Sequence, residues 1–278
     1  MRNLWISKFM EKKGKTLSPI SFDEMKTILL DIMSDLDTFC RENNLRYSLA
    51  YGSLIGAVRH KGFIPWDDDI DILIPRKDYQ ILLEKYNHPY YIIKSQEKDW
   101  HFPLQYAKLC DSRTTSFDQF GNEFPVAVDI FILDGLSDSL TIADKRVRSV
   151  KRMSRIWSSQ LFTRQLDFKK ELGTKKNLLI AGSKLIHPFI SEKRLVYRLL
   201  RFKQKYPIDK SKYCASLSGW CTIYESEKML SYKETPFENK HFMIFKDYDY
   251  HLKIIFGDYM TLPPESERYN HGSKAYWL

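Results

Sequence analysis

The chain has 278 residues, 43% of them hydrophobic and 14% aromatic, enough for one large domain or a core with an appended subdomain, and the composition is that of a globular protein. No window approaches the ~18 apolar residues of a membrane span, and Met1 to Lys13 lack the apolar core and cleavage site of a secretion signal, so a cytoplasmic location is expected. The net charge of +9 is uneven: Ile142 to Lys205 holds 18 Lys and Arg against four acids, a local +14, and the remainder sums to −5.

From Phe22 to Leu45 the positions Met25, Ile28, Leu29, Ile32, Met33, Leu36 and Phe39 recur at helical spacing, with Ser21 or Asp23 able to cap the helix. Tyr47 to Tyr51 then reads as a short strand, and Leu54 to Val58 as the start of a helix. A strand–Gly52-Ser53–helix junction offers free backbone N–H groups and a positive dipole end, which suit a phosphate; a plain glycine turn fits the same residues.

Asp69 to Ile74 alternates with period two, which predicts a half-buried strand with Ile70, Ile72 and Ile74 on the core face. Asp69 and Asp71 then project together about 6.5–7 Å apart by the strand rise. Two carboxylates that close need a hydrated face, a shared proton or a divalent cation between them. Pro75 opens a short helix to Tyr86, followed by strands over Tyr90–Lys94 and Leu104–Asp111. The latter carries Lys108 into an otherwise apolar-aromatic element, which suits a solvated edge. Val126 to Gly135 is the most apolar strand, and Asp129 interrupts its middle. A buried carboxylate needs a specific partner, structural or catalytic.

Val147, Val150, Met153, Ile156, Trp157 and Leu161 trace a helical stripe over Asp144–Phe162, with Lys145, Arg146, Arg148, Lys151, Arg152 and Arg155 on the remaining surface; Leu178 to Phe202 repeats the pattern. This basic insert is either a solvated face or a surface for anionic lipid. Cys40, Cys110, Cys214 and Cys221 lie far apart without metal-type spacing, so buried thiols are expected. The expected division is 1–140, 141–206 and 207–278.

Gly52-Ser53 followed by Asp69-Ile70-Asp71-Ile72 resembles the signature of the polymerase-beta-like nucleotidyltransferase fold. The filling, Gly56-Ala57-Val58-Arg59-His60-Lys61-Gly62-Phe63-Ile64-Pro65-Trp66-Asp67-Asp68, resembles the LicD family of phosphocholine transferases almost residue for residue. Val128-Asp129-Ile130-Phe131 and the tail from Phe237 to His271 carry the likeness further, over roughly 22–135 and 207–271. The resemblance implies an α/β (α+β) fold with a mixed sheet flanked by helices. Asp69, Asp71 and Asp129 would bind Mg²⁺ or Mn²⁺, and Gly52, Ser53, Arg59, His60, Lys61, Trp66, Lys108 and His271 would bind substrate. It implies transfer of phosphocholine or another phospho-alcohol from CDP-choline or a related CDP-alcohol to a glycan or lipid-linked glycan, with release of CMP. Trp66, Tyr106 and Trp220 are aromatic faces suited to choline by cation–π attraction. Peripheral contact with anionic membrane is compatible with it, and no nucleic acid partner is expected. Transfer of a nucleotide with release of pyrophosphate is the alternative on the same fold; an inactive basic module for membrane or nucleic acid is the alternative of another class.

Overall fold

A computed structural model describes residues 17–117, 123–165, 191–268 and 274–278. The chain forms an α+β structure, a sheet core flanked by helices, in two compact units. The first draws on Met1–Lys94, Tyr106–Ile132 and Glu227–Leu278, the second on Ser95–Gln105 and Leu133–Ser226.

In the first unit, β1 (Ser18–Ile20) leads into α1 (Phe22–Glu42). Ser21 is the cap: its hydroxyl accepts from the Glu24 N–H, and the Glu24 carboxylate reaches back to the Ser21 N–H. Met25, Ile28, Leu29, Ile32, Met33 and Leu36 are buried, the stripe that the spacing predicts. The main sheet runs β2 (Ser48–Leu49), β3 (Asp71–Pro75), β8 (Ala127–Gly135), β5 (Ala107–Asp111), β4 (Tyr91–Lys94). The short helix α2 (Tyr51–Ile55) follows β2, and α3 (Arg76–Lys85) follows β3, with Pro75 at its N-cap. Pairing is antiparallel between β2 and β3, with Ser48 opposite Leu73, and between β5 and β8, with Lys108 opposite Asp129. A second sheet orders β1, β13 (Lys274–Trp277), β6 (Thr114–Phe117) and β7 (Glu123–Phe124). The hairpin of β11 (Tyr232–Phe237) and β12 (Lys240–Phe245) ties to β2 through Phe245 N–H on Ser48 Oγ, 2.9 Å.

β3 starts two residues later than its alternation predicts, and Leu73 is as fully buried as Ile70, Ile72 and Ile74. A strand covered on both faces loses its period-two contrast. Asp69 therefore lies in the connection before the strand, and Asp71 is its first residue.

The second unit holds α4 (Leu140–Gln165), α5 (Glu192–Lys203), β9 (Tyr213–Ser216), β10 (Ile223–Glu225) and the last three residues of β8, which pair with β9. Its core joins Ala143, Val147, Val150 and Trp157 to Leu195, Val196, Leu199 and Leu200. Ile156 falls outside the stripe and is exposed. Arg146, expected on the surface, is buried: its guanidinium lies 4.0 Å from the Phe202 ring and 4.8 Å from that of Tyr206, and donates to the Phe202 carbonyl. Stacking on two rings satisfies a cation that the helical wheel alone assigns to water. No helix among the described residues is long and apolar enough to cross a membrane, and Cys40, Cys110, Cys214 and Cys221 are free thiols. Of the basic helical pattern expected over 178–202, residues 178–190 lie outside the described residues.

Candidate active site

The site begins where β2 gives way to α2, which continues as one wide π-helical turn, Gly56–His60. Gly52 and Ser53 thus sit inside the first helical turn and not ahead of it. Tyr51 opens that turn at φ +48°, a conformation that costs a side-chain-bearing residue about 1–2 kcal/mol. Packing holds it there, with its ring edge-on to Phe131 at 5.1 Å.

Asp71 is fixed from both sides by this junction. Its N–H donates to Ser53 Oγ at 2.8 Å, and its carbonyl accepts from the Ala50 N–H at 2.9 Å. The absence of a side chain at Gly52 matters equally, because a Cβ there would stand 2.9 Å from Asp67 Oδ2. One strand over, the Asp129 N–H donates to the Ile70 carbonyl at 2.8 Å, so Asp129 is held beside the start of β3. Directly opposite in register, Lys108 forms an ion pair with Asp129, its ammonium 5.5 Å from the Tyr106 ring and 5.7 Å from that of Phe124.

The electrostatics follow this crowding. Burial raises the proton affinity of Asp71 well above the usual carboxylate range, and Asp69, Asp129 and Asp67 push it in the same direction, against the pull of Lys108. Burial disfavours the Lys108 charge, but Asp129 and Tyr106 more than offset this and raise its pKa.

These donors suit a hard divalent cation: all are carboxylate oxygens, and their mutual repulsion is what a cation relieves. Among the described residues, however, no three His, Cys, Asp or Glu side chains converge at metal-ligand spacing. Asp129 is turned onto Lys108, whose ammonium supplies the positive charge.

The remaining expected residues divide. Arg59, His60 and Trp66 form a second group. Arg59 Nη1 donates to the carbonyls of Tyr259 (2.5 Å) and Thr261 (3.3 Å), its Nε donates to His60 Nε2 (3.0 Å), and the His60 ring stands 6.3 Å edge-on from Trp66. Burial and the Arg59 charge both lower the His60 pKa, in keeping with a neutral ring that accepts at Nε2. Lys61 joins neither group: it caps the π turn at φ +63°, and its Nζ donates to the Val58 carbonyl. His271 lies outside the described residues.

Of the aromatic faces expected for choline, that of Trp66 carries the Arg268 guanidinium at 5.3 Å, and Tyr106 stacks on Phe131 at 4.6 Å. Trp220, in the second unit, is 57% exposed. Two residues at these sites escape the sequence reading. Asp67 stands in the same acidic run as Asp69 and Asp71, and only the approach to Gly52 singles it out. Arg268 leaves no signal, since its partner is two hundred residues away.

Residues 44–135, which span β2 to the end of β8, match the family model described as the LicD/FKTN/FKRP nucleotidyltransferase domain. The chain is 32% identical over 276 residues to the lipopolysaccharide cholinephosphotransferase LicD of Haemophilus influenzae, an alignment covering 94% of this chain and 100% of that one. Shorter stretches resemble two uncharacterised proteins: 41% identity over 69 residues in Rickettsia typhi, and 46% over 50 in Rickettsia prowazekii. These cover 22% and 19% of the two rickettsial proteins.

Proposed function

The chain belongs to the LicD family, and on that premise we propose that it transfers phosphocholine from CDP-choline to a sugar hydroxyl of a cell-surface glycan, a lipopolysaccharide first among the candidates. The observation that carries the reading is the alignment with a lipopolysaccharide cholinephosphotransferase over that protein's whole length. The carboxylates around Asp71 agree with it.

In this reaction the acceptor oxygen bonds to the phosphorus that bears choline. The bond from that phosphorus to the bridging oxygen breaks, CMP leaves with that oxygen and the bonding electron pair, and the hydroxyl proton passes to water. Asp69 and Asp71 would hold Mg²⁺ or Mn²⁺, with Asp129 as the third oxygen donor. When bound, such a cation neutralises phosphate charge and lowers the pKa of an attacking hydroxyl. Ser53 keeps the Asp71 backbone in place, and Gly52 leaves room for Asp67. Lys108, tethered to Asp129, holds its ammonium at the same place and can turn to a substrate phosphate.

The second unit would bring the enzyme to its acceptor. Lys145, Lys151, Arg152 and Arg155 of α4, with Lys193, Arg194, Arg198 and Arg201 of α5, are exposed. Each cation that reaches an anionic lipid surface adds about 1 kcal/mol of attraction, screened by salt. Most of the apolar stripe of both helices is spent in the core, although Ile142, Ile156 and Tyr197 are exposed, so contact would be chiefly electrostatic.

Incubation with CDP-choline, Mg²⁺ and a lipopolysaccharide acceptor tests the chemistry. Release of CMP is expected; release of pyrophosphate in place of CMP from a panel of nucleotides would favour the nucleotidyltransferase alternative.

A further inference from the structure

Several arginines of the first unit are neutralised by carboxylates. Arg41 meets Asp37 and Glu234, Arg46 meets Asp78 at 2.8 Å, and Arg113 meets Asp111 at 2.6 Å. Arg59 and Arg268 depart from this pattern. Both hang from one short stretch of backbone carbonyls, Arg59 from Tyr259 and Thr261, and Arg268 from Pro263 through its Nε at 2.9 Å. Among the described residues neither has a carboxylate within ion-pair reach. They are near enough that burial first, and Arg268 second, lowers the Arg59 pKa.

Two like charges on half-buried side chains are costly to hold together. Among the described residues each also keeps N–H groups that no acceptor uses, since Arg59 spends Nε and Nη1 and Arg268 spends Nε. The Trp66 ring lies 5.3 Å from the Arg268 guanidinium, and His60, accepting at Nε2, is left with Nδ1–H as a further donor. The Nη1 and Nη2 fork of Arg268, the remaining Nη2 of Arg59 and an imidazole N–H together match the oxygens of a phosphate.

We propose that Arg59 and Arg268, oriented by Trp66 and assisted by His60, form a phosphate-binding site separate from the carboxylate cluster, with Arg268 a substrate-binding residue. Bound phosphate supplies the negative charge that the two arginines lack. As a substrate subsite it rests on the transferase reading, in which the donor carries a diphosphate and the acceptor is a glycan that can itself be phosphorylated. It also gives the Trp66 face to a guanidinium, so choline is recognised elsewhere.

Isothermal titration in EDTA, which removes any cation-mediated contribution of the carboxylates, tests the site with inorganic pyrophosphate, CMP and CDP-choline. The wild type should bind pyrophosphate with an affinity that falls as salt rises, and Arg268→Gln should weaken it at least tenfold. Arg268→Lys, which keeps the charge without the fork, should fall between them. An equal loss for CDP-choline assigns the site to the donor. Arg268-dependent binding of pyrophosphate with no binding of CDP-choline keeps the site and removes the donor reading. No pyrophosphate binding by the wild type, or unchanged affinity in a folded Arg268→Gln protein, overturns the proposal.

Discussion

Replacing Asp129 by Asn in the metal-free protein should be among the more destabilising single changes in the first unit, although it alters the shape of the side chain hardly at all. The Lys108 and Asp129 side chains are only 15% and 12% exposed, and they face each other across directly paired positions of β5 and β8. Removing one partner of such a pair strands the other as an uncompensated charge, at about 3–5 kcal/mol. Lys108→Met should cost as much for the mirror reason, and it leaves Asp129 beside Asp71 without the ammonium that offsets their repulsion. The double variant, Lys108→Met with Asp129→Asn, holds no stranded charge, so it should be less destabilised than the two singles added together, by about 2–3 kcal/mol. Urea unfolding at pH 7.5 in EDTA, read by hydrogen exchange in peptides from β5 and β8, confines the measurement to this unit. Singles that add to within about 0.5 kcal/mol of the double would show that Lys108 and Asp129 are not an energetic pair, and the account of the site would lose its central contact.

Asp71→Asn should act in the opposite direction. Because folding raises the Asp71 pKa above its ordinary 3.8, the wild type without metal should lose stability as pH climbs from about that value through the raised one. The variant should therefore melt higher than wild type in EDTA at pH 7; an equal or lower melting temperature counts against the crowding. With Mg²⁺ and CDP-choline only the wild type should gain, about 2.7 kcal/mol at a hundredfold excess over Kd. At the glycines, Gly56→Ala sets a Cβ 2.4 Å from the rigid Gly62 carbonyl and should cost about 1–3 kcal/mol, whereas Gly52→Ala meets only the movable tip of Asp67. Urea midpoints should rank them so, with Gly52→Ala losing turnover and little stability. Burial lowers the His251 pKa from 6.5 to about 4, so the neutral ring favours folding above pH 6.5 and that contribution fades as pH falls toward 4, by roughly 3 kcal/mol in all. His251→Leu should flatten the stability profile across this window; an unchanged slope refutes it. Finally, the protein should cosediment with anionic but not neutral vesicles and be released by salt, and Lys151, Arg152 and Arg155 changed together to Glu should weaken that binding. Equal recovery with both vesicle types would return the basic face to the role of a solvated surface.

The long, one-sided elements are legible in the amino-acid sequence. α1 follows its 3.6-residue stripe to within a turn and is capped by Ser21, because an amphipathic helix records its buried face in its spacing. The apolar run of β8 marks a core strand, and Asp129 within it points to a buried partner. That the partner is Lys108 needs the strand register, which pairs the two across 21 residues of sequence. The short elements are not legible: β1, β6, β7 and the β11–β12 hairpin are two to six residues long, and their pairing is set by distant segments and not by local pattern. Arg146 misleads for a related reason. Its charge says surface, but two aromatic rings from distant positions make it a core residue. Arg268 is invisible in the sequence, since one arginine among 44 basic residues becomes conspicuous only beside Arg59.

The most direct test of the transferase reading is mass spectrometry of a lipopolysaccharide saccharide incubated with CDP-choline, Mg²⁺ and either the wild type or Asp71→Asn. The account predicts a phosphocholine adduct and stoichiometric CMP with the wild type, and neither with a folded Asp71→Asn protein. An adduct formed equally by the variant would contradict the assignment of the carboxylate cluster, and a wild type that leaves both the saccharide and CDP-choline unchanged would contradict the function itself.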